Sequence, residues 1–342
     1  MKEFVDTSIQ NAAPKENKAS LWRNIAFILG LSVLVFMIYK IGIDQIWNNI
    51  KSVGPWFALI IGVWGVVYII NTIAWYSIIK SENAYVPFFK VMKFTISGYA
   101  LNYVTPMGLA GGEPYRIMEL RRYIGTERAT ASVILYAMMH VCSHFFFWLS
   151  AAMLVAWTVK ASPMLSIILT CIVATSLVLI FIFFRGYRKG LVVKLFRLLS
   201  KVPFLKKKIN NLSPETKAKV ELIDEEIKNL HGTRKKSFYF SLGMEFLARL
   251  VSCLEIYFIV MALGYDITYI QSLIVVGLSS LFANILFFSP MQLGTREGGI
   301  ALAFSTIGLV SGLGVSVSMI TRIRELFWIM LGMIIMKINS DK

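Results

Sequence analysis

Long stretches of this chain run without a charged side chain for more than the roughly 20 residues an α-helix needs to cross hydrocarbon. Among them are residues 54–79, 129–159, 161–184 and 267–295. Each is apolar all round, whereas a helix packed on a water-soluble core keeps a polar stripe. Backbone in lipid must satisfy its own hydrogen bonds, and for runs of this length a helix does so. We therefore expect an all-α, polytopic helical membrane protein of seven or eight spans. The make-up of the whole chain agrees, at 57% apolar and 16% charged over 342 residues.

A net charge of +16 raises the question of nucleic acid, but its placement answers it. Of the 35 Lys and Arg, 15 lie within residues 185–236, a single hydrophilic loop. Clustering of this kind beside membrane spans marks the cytoplasmic side, where anionic lipid attracts it further. No nucleic-acid partner is expected. Cys142, Cys171 and Cys253 fall in apolar runs without CxxC spacing and read as small core residues. The first apolar run, 25–43, follows Lys15, Lys18 and Arg23 and is too long for a signal peptide, so it is expected to anchor the chain uncleaved.

A nine-residue pattern then occurs twice. Thr105-Pro106-Met107-Gly108-Leu109-Ala110-Gly111-Gly112-Glu113 returns as Ser289-Pro290-Met291-Gln292-Leu293-Gly294-Thr295-Arg296-Glu297, with hydroxyl, Pro, Met, Leu and Glu in register. Each copy follows an apolar segment holding an asparagine, Asn102 or Asn284. Proline lacks a backbone donor and glycine admits unusual dihedrals, so no helix runs smoothly through either copy. Corresponding interruptions in two halves of a membrane protein point to a transporter's binding site.

Taken in order, residues 1–20 form a polar cytoplasmic tail, and 21–184 the first membrane half with a broken motif at 94–116. Residues 185–236 form the basic cytoplasmic loop, and 237–342 the second half with a broken motif at 289–310. Lys40, Asp44 and Lys51 flank a short connection between spans 25–43 and 55–79. Only about twelve apolar residues precede Pro106, enough to reach roughly mid-bilayer at 1.5 Å per residue. A re-entrant turn there keeps Arg116, Arg121, Arg122 and Arg128 on the same side as the basic loop. Within that loop, Ser213 and Pro214 start a helix and Gly232 ends it. Its apolar face comprises Val220, Ile223, Ile227 and Leu230. Spans follow at 238–263, 269–288 and 315–336.

Eight charged residues sit inside candidate membrane segments: Glu245, Arg249, Glu255, Arg296, Glu297, Arg322, Arg324 and Glu325. At about 2.5–3.5 kcal/mol each, they demand mutual neutralisation, and four acids against four bases allow it. Glu245 and Arg249, one turn apart, are expected to form a structural ion pair. Arg296, Glu297, Arg322 and Arg324 combine charge with broken or central helix positions and are candidate substrate-binding residues. Glu113 and Arg116 join them, because helix-start amides beside an arginine can seat a phosphate. His140 and His144 have a metal-binding spacing but no third ligand, and read as core histidines bonded to neighbouring helices. No aspartate lies deep in a span, and there is no Walker loop, nucleophile elbow or zinc motif. We expect no enzyme, no catalytic residues, no metal and no cofactor.

One combination carries a resemblance: Pro106…Gly111-Gly112-Glu113-Pro114-Tyr115-Arg116, then Pro290…Gly294-Thr295-Arg296-Glu297-Gly298, then Arg322…Trp328…Gly332 in the last span. It resembles the lysylphosphatidylglycerol synthase transmembrane region family, over about residues 20–338. That family includes the flippase part of bacterial multiple-peptide-resistance-factor proteins and stand-alone members. The chain is expected to be a stand-alone member, without the soluble aminoacyl-transferring domain of the complete synthase. It also shows Tyr136-Ala137-Met138-Met139-His140 where an acid-Arg…Asp signature would stand. The resemblance implies a multi-pass protein of the bacterial inner membrane, its N-terminus cytoplasmic. Its expected role is to move an anionic or zwitterionic phospholipid, or a lipid-linked intermediate, between leaflets. Alternatives are a membrane enzyme acting on a lipid-linked substrate and a non-transporting scaffold for a lipid-modifying partner. Membrane lipids are the expected partners, with a homo-oligomer or a lipid-modifying enzyme beside them.

Overall fold

A computed structural model describes residues 27–28, 31–32, 35–80, 85–105, 111–159, 163–188, 221–225, 227, 235–285 and 294–338. Its main elements are α1 (Ile43–Val53), α2 (Trp56–Ile79), α3 (Phe88–Val104), α4 (Gly112–Ile124), α5 (Thr126–Thr158), α6 (Pro163–Arg188), α7 (Lys235–Ala262), α8 (Tyr269–Ile285), α9 (Thr295–Thr306) and α10 (Leu313–Ile338). No strand occurs among the described residues. Helices over Trp56–Ile79, Thr126–Thr158 and Ser166–Arg185 are long and apolar enough to cross a membrane. The 28 residues of α7 and 26 of α10 match them in length but carry the intramembrane charges.

The short connection expected around Asp44 is instead a helix. Gly42, at φ +85°, ends the helix through 35–41, and α1 sets off in a new direction. Ile43, Ile46, Trp47, Ile50 and Val53 recur at helical spacing, with Asp44, Asn48 and Lys51 between them. Trp47 is exposed, with the Lys51 ammonium 5.3 Å above its ring, the make-up of a helix lying in the membrane interface.

Helix α3 starts at Phe88, behind Pro87, so Lys90 and Lys93 belong to it and precede the apolar stretch. Its 17 residues rise about 26 Å, short of a hydrocarbon core of about 30 Å. Helix α4 then runs back antiparallel along it. Gly112 lies against Gly98 and Asn102, Arg116 reaches Thr95, and the Tyr123 ring meets Phe94. Helix α9 likewise returns to α8, where Gly298 and Gly299 lie by Phe282, and Gly299 by Ser279. The two sequence repeats are thus the turns of two helical hairpins. Their centres, 106–110 and 286–293, lie outside the described residues.

Element contacts show that the repeat extends beyond those nine residues. Helices α2–α5 correspond to α7–α10: α3 packs on α10 as α8 packs on α5, and α4 on α5 as α9 on α10. The corresponding helices α2 and α7 run antiparallel, since Trp56 meets Phe258, Trp64 meets Glu255 and Ser77 meets Ser237. Small residues permit the swapped contacts, with Gly332 close to Ala100 and the Ile96 carbonyl, and Gly277 against Ala151. Two halves of opposite direction form an inverted repeat, the arrangement that places substrate sites at the interface of many transporters.

In the basic loop, 221–225 and 227 are helical. Ile223 and Ile227 of its predicted apolar face pack on the cluster around Trp75, Leu120 and Phe238. The expected ends of that helix, Ser213 and Gly232, lie outside the described residues, as do 160–162 before α6. Helix α6 leaves Ile167, Leu177, Val178, Phe181 and Ile182 exposed, a face suited to lipid.

Candidate functional site

Buried charge gathers in two places, one for each hairpin. In the second, every acid faces an arginine of another helix. Glu297, in the first turn of α9, reaches back with Oε2 to the Gly294 N–H at 2.8 Å, satisfying a helix-start donor. Its Oε1 accepts Nε and Nη2 of Arg322 on α10, at 3.0 and 2.7 Å, and the Ser318 hydroxyl at 3.2 Å. Arg296 Nη1 meets Glu325 Oε1 at 2.6 Å, again joining α9 to α10. One residue earlier, Arg324 grips both oxygens of Glu255 on α7, Nε to Oε1 at 2.8 Å and Nη2 to Oε2 at 2.9 Å. The Trp64 indole donates to Glu255 Oε2 at 2.8 Å, while the Arg324 guanidinium lies 3.8 Å from the Trp64 ring centroid.

Three carboxylates and three guanidiniums therefore cancel within one cluster. Adjacent ionised groups interact strongly away from water, and only such close pairing offsets their desolvation. Tyr103, at the end of α3, lies in the field of Arg296, Arg324 and Glu325. The end of α3 thereby reaches the charges of the second hairpin.

In the first hairpin, Glu113 Oε1 binds Arg116 Nη1 at 3.2 Å and accepts from Asn102 Nδ2 at 3.2 Å. Asn102 also takes the Gly112 N–H on its Oδ1 at 2.8 Å. The helix-start amide thought available to a phosphate is thus capped from α3. Asn284, the repeat's counterpart, turns instead to the Ser280 carbonyl of its own helix. Arg116 is 2% exposed. Its guanidinium lies among the rings of Tyr99, Tyr136 and Trp75, at 4.6, 5.5 and 5.7 Å from their centroids. Glycine at 98 makes room for it, since a Cβ there would run into the Arg116 side chain.

Glu245 and Arg249 do not pair as their spacing predicts. Glu245 Oε2 lies 2.7 Å from His140 Nδ1 on α5. Arg249 donates to Ser143 Oγ and the His140 carbonyl, both at 2.7 Å. Packing of α7 on α5 offers both side chains closer partners across the helix interface than along it. His140 bonds to a neighbouring helix as expected. His144 stacks edge-on against it and meets Trp148 on the same helix. Among the described residues, no group of three His, Cys, Asp or Glu is placed to hold a metal.

The sequence reading overlooked the aromatic residues that close these clusters. Trp64, Tyr99, Tyr103 and Tyr136 stand in apolar runs where a ring reads as lipid or core contact. A usable signal was present: Tyr68, Asn71 and Thr72 bring polar groups into the otherwise apolar α2, and Tyr99 and Asn102 do so in α3. Buried tyrosine hydroxyls and asparagine amides need partners, so polar neighbours were implied.

Comparison with known proteins agrees with the membrane architecture. The chain is 25% identical over 318 residues to the UPF0104 membrane protein PH1989 of Pyrococcus horikoshii, covering 89% of this chain and 93% of that one. It is 23% identical over 315 residues to the UPF0104 membrane protein MJ1595 of Methanocaldococcus jannaschii, covering 90% and 91%. No solved structure matches at a significant level. The family model described as lysylphosphatidylglycerol synthase TM region matches residues 24–332. With nearly its whole length inside that match, the chain belongs to this family of multi-pass, lipid-related membrane proteins.

Proposed function

We propose that the chain is a translocase, without catalytic residues or cofactor, that moves a phospholipid or lipid-linked intermediate between leaflets of the cytoplasmic membrane. The observation carrying this reading is the balanced, exchangeable charge on α7, α9 and α10 at the foot of a broken hairpin. A phosphate entering the cluster competes with Glu297 for Arg322, or with Glu325 for Arg296. The displaced carboxylate then needs a cation, and an amine on the same head group supplies one. A zwitterionic head group thus replaces two partners at once, while an anionic one leaves an acid to be neutralised by a proton. In this reading Arg296, Arg322 and Arg324 receive phosphate, and Glu297 and Glu113 receive amine or hydroxyl groups. Arg116, caged by rings, holds Glu113 in place.

The test is leaflet exchange by the purified protein in liposomes, against a panel of anionic and zwitterionic lipids. Exchange without added partners, with head groups unchanged, is expected. Chemical change of the head group would make the protein an enzyme, and exchange only with a partner would make it a scaffold.

Arg296→Lys separates recognition from architecture. Arg296 holds Glu325 through one nitrogen, a contact that an ammonium can replace. The planar fork that grips a phosphate at two points is lost. We expect monodisperse elution in detergent to persist while transport per folded protein falls roughly tenfold, a loss of about 1.4 kcal/mol. Full transport would leave Arg296 structural and pass the phosphate role to Arg322.

The same reading puts the N-terminus and the basic loop in the cytoplasm, with the first hairpin re-entrant from that side. In a background without Cys171, the exposed native thiol, a cysteine at Arg121 or within 206–208 should resist an impermeant thiol reagent in intact cells. Labelling of position 121 from outside would exclude the re-entrant arrangement.

A further inference from the structure

The Glu245–His140 contact implies a proton. A neutral imidazole nitrogen with a lone pair and an ionised carboxylate oxygen are both acceptors, and two acceptors do not sit 2.7 Å apart bare. One proton must lie between them, on nitrogen or on oxygen. Glu245 is 1% exposed, and its Oε1 has no hydrogen-bond partner among the described residues. The His140 side chain is 31% exposed, so the ring is the open end of the pair.

The charged and titratable groups around the pair are few. Arg249 follows one turn later on α7 but spends its bonds on neutral acceptors. On α5, His144 meets the His140 ring edge-on, with centroids 5.4 Å apart. From α3, the Tyr99 hydroxyl lies 3.3 Å from His140 Nδ1 and 2.9 Å from the Tyr136 hydroxyl, and it receives Asn71 of α2 at 3.3 Å. Arg116 of α4 lies against the rings of both tyrosines and binds Glu113.

We propose that His140 and Glu245 form a proton-binding site coupling proton movement to lipid movement, with Tyr99 and Tyr136 passing its state to Arg116 and Glu113. Its coupling half rests on the translocase reading above. With one proton between them, the pair is a neutral imidazole whose Nδ1–H donates to the Glu245 carboxylate, and Tyr99 turns its hydroxyl proton to Tyr136. A second proton enters at Nε2 of His140 as the Nδ1 proton passes to Glu245, leaving a neutral imidazole and a carboxylic acid, and beside Arg249 the cluster becomes net positive. Nδ1 then carries a lone pair that accepts from Glu245 and from Tyr99, and the hydroxyl pair reverses direction next to the caged arginine. Hydroxyls serve either way because each is both donor and acceptor. Intramembrane His, Glu and Tyr linked in this manner make a proton relay. Loss of the proton restores the first arrangement, so the site has two states for lipid binding to bias.

Two measurements on the whole protein test this. Infrared difference spectra between about pH 4 and pH 9 should show a carboxyl band that titrates in the native protein and is missing from Glu245→Gln. In liposomes, one unit of pH gradient should accelerate lipid exchange by up to about tenfold. Glu245→Gln should abolish that acceleration, whatever its residual rate. His140→Gln, which still donates to Glu245 but takes up no proton, should abolish it too and serves if Glu245→Gln does not fold. A Glu245 carboxyl that fails to titrate, exchange in the native protein indifferent to the gradient, or acceleration surviving in a variant would overturn the proposal. Titration of Glu245 with no exchange of any lipid would overturn the translocase reading and leave the proton site standing.

Discussion

Glu255→Ala will not accumulate as a stable, monodisperse protein. The change removes both carboxylate oxygens that hold Arg324, whose side chain is 1% exposed. The guanidinium keeps only Glu325 at 3.8 Å, the neighbouring Tyr103 and the face of Trp64, whose indole N–H loses its acceptor in turn. Stranding one member of a buried pair costs about 3–5 kcal/mol, a large share of the stability of most folded domains. The measurement is the melting midpoint in detergent and the monodisperse fraction on elution. Glu255→Leu combined with Arg324→Met fills similar volume without charge and should recover most of the loss. An unchanged midpoint for Glu255→Ala would mean that this fork does not tie α7 to α10.

Gly112→Ala should be the second most damaging change. A Cβ at 112 would fall on the Gly98 carbonyl and the Asn102 side chain, and backbone cannot step aside as a flexible side-chain end can. The cost has two parts: overpacking, about 1–3 kcal/mol, and loss of the Asn102 cap on the Gly112 amide as α4 is pushed away. Gly243→Ala is the control. That glycine lies inside α7, a Cβ there meets nothing within 4 Å, and helix propensity favours alanine by up to about 1 kcal/mol. Midpoints should therefore move in opposite directions, and lipid exchange should fail in Gly112→Ala alone. Equal midpoints would show that the two hairpin helices are not held at the distance described.

What the sequence revealed follows from what each signal depends on. Lipid demands long uncharged runs, so α2, α5 and α6 were legible, and the recurrence of Pro106…Glu113 at Pro290…Glu297 exposed the repeat. Partner choice was not legible. Spacing along one helix tied Glu245 to Arg249, yet both turn to α5, because a crossing helix presents groups that no linear pattern records. Adjacent in sequence, Arg296 and Glu297 point to different residues of α10, Glu325 and Arg322. The cage of Tyr99, Tyr136 and Trp75 around Arg116 joins three helices and existed in no local stretch at all.

The cancellation of charge has an electrical consequence. Glu245, Glu255, Glu297 and Glu325 balance Arg249, Arg296, Arg322 and Arg324, and Glu113 balances Arg116. Membrane voltage does work on a moving charge of about 2.3 kcal/mol per elementary charge per 100 mV. When acids and bases travel together, those contributions cancel, and a rearrangement of the bundle is electrically silent. If the protein moves lipid as proposed, any current recorded during transport therefore counts the charge of the cargo and of the protons that accompany it.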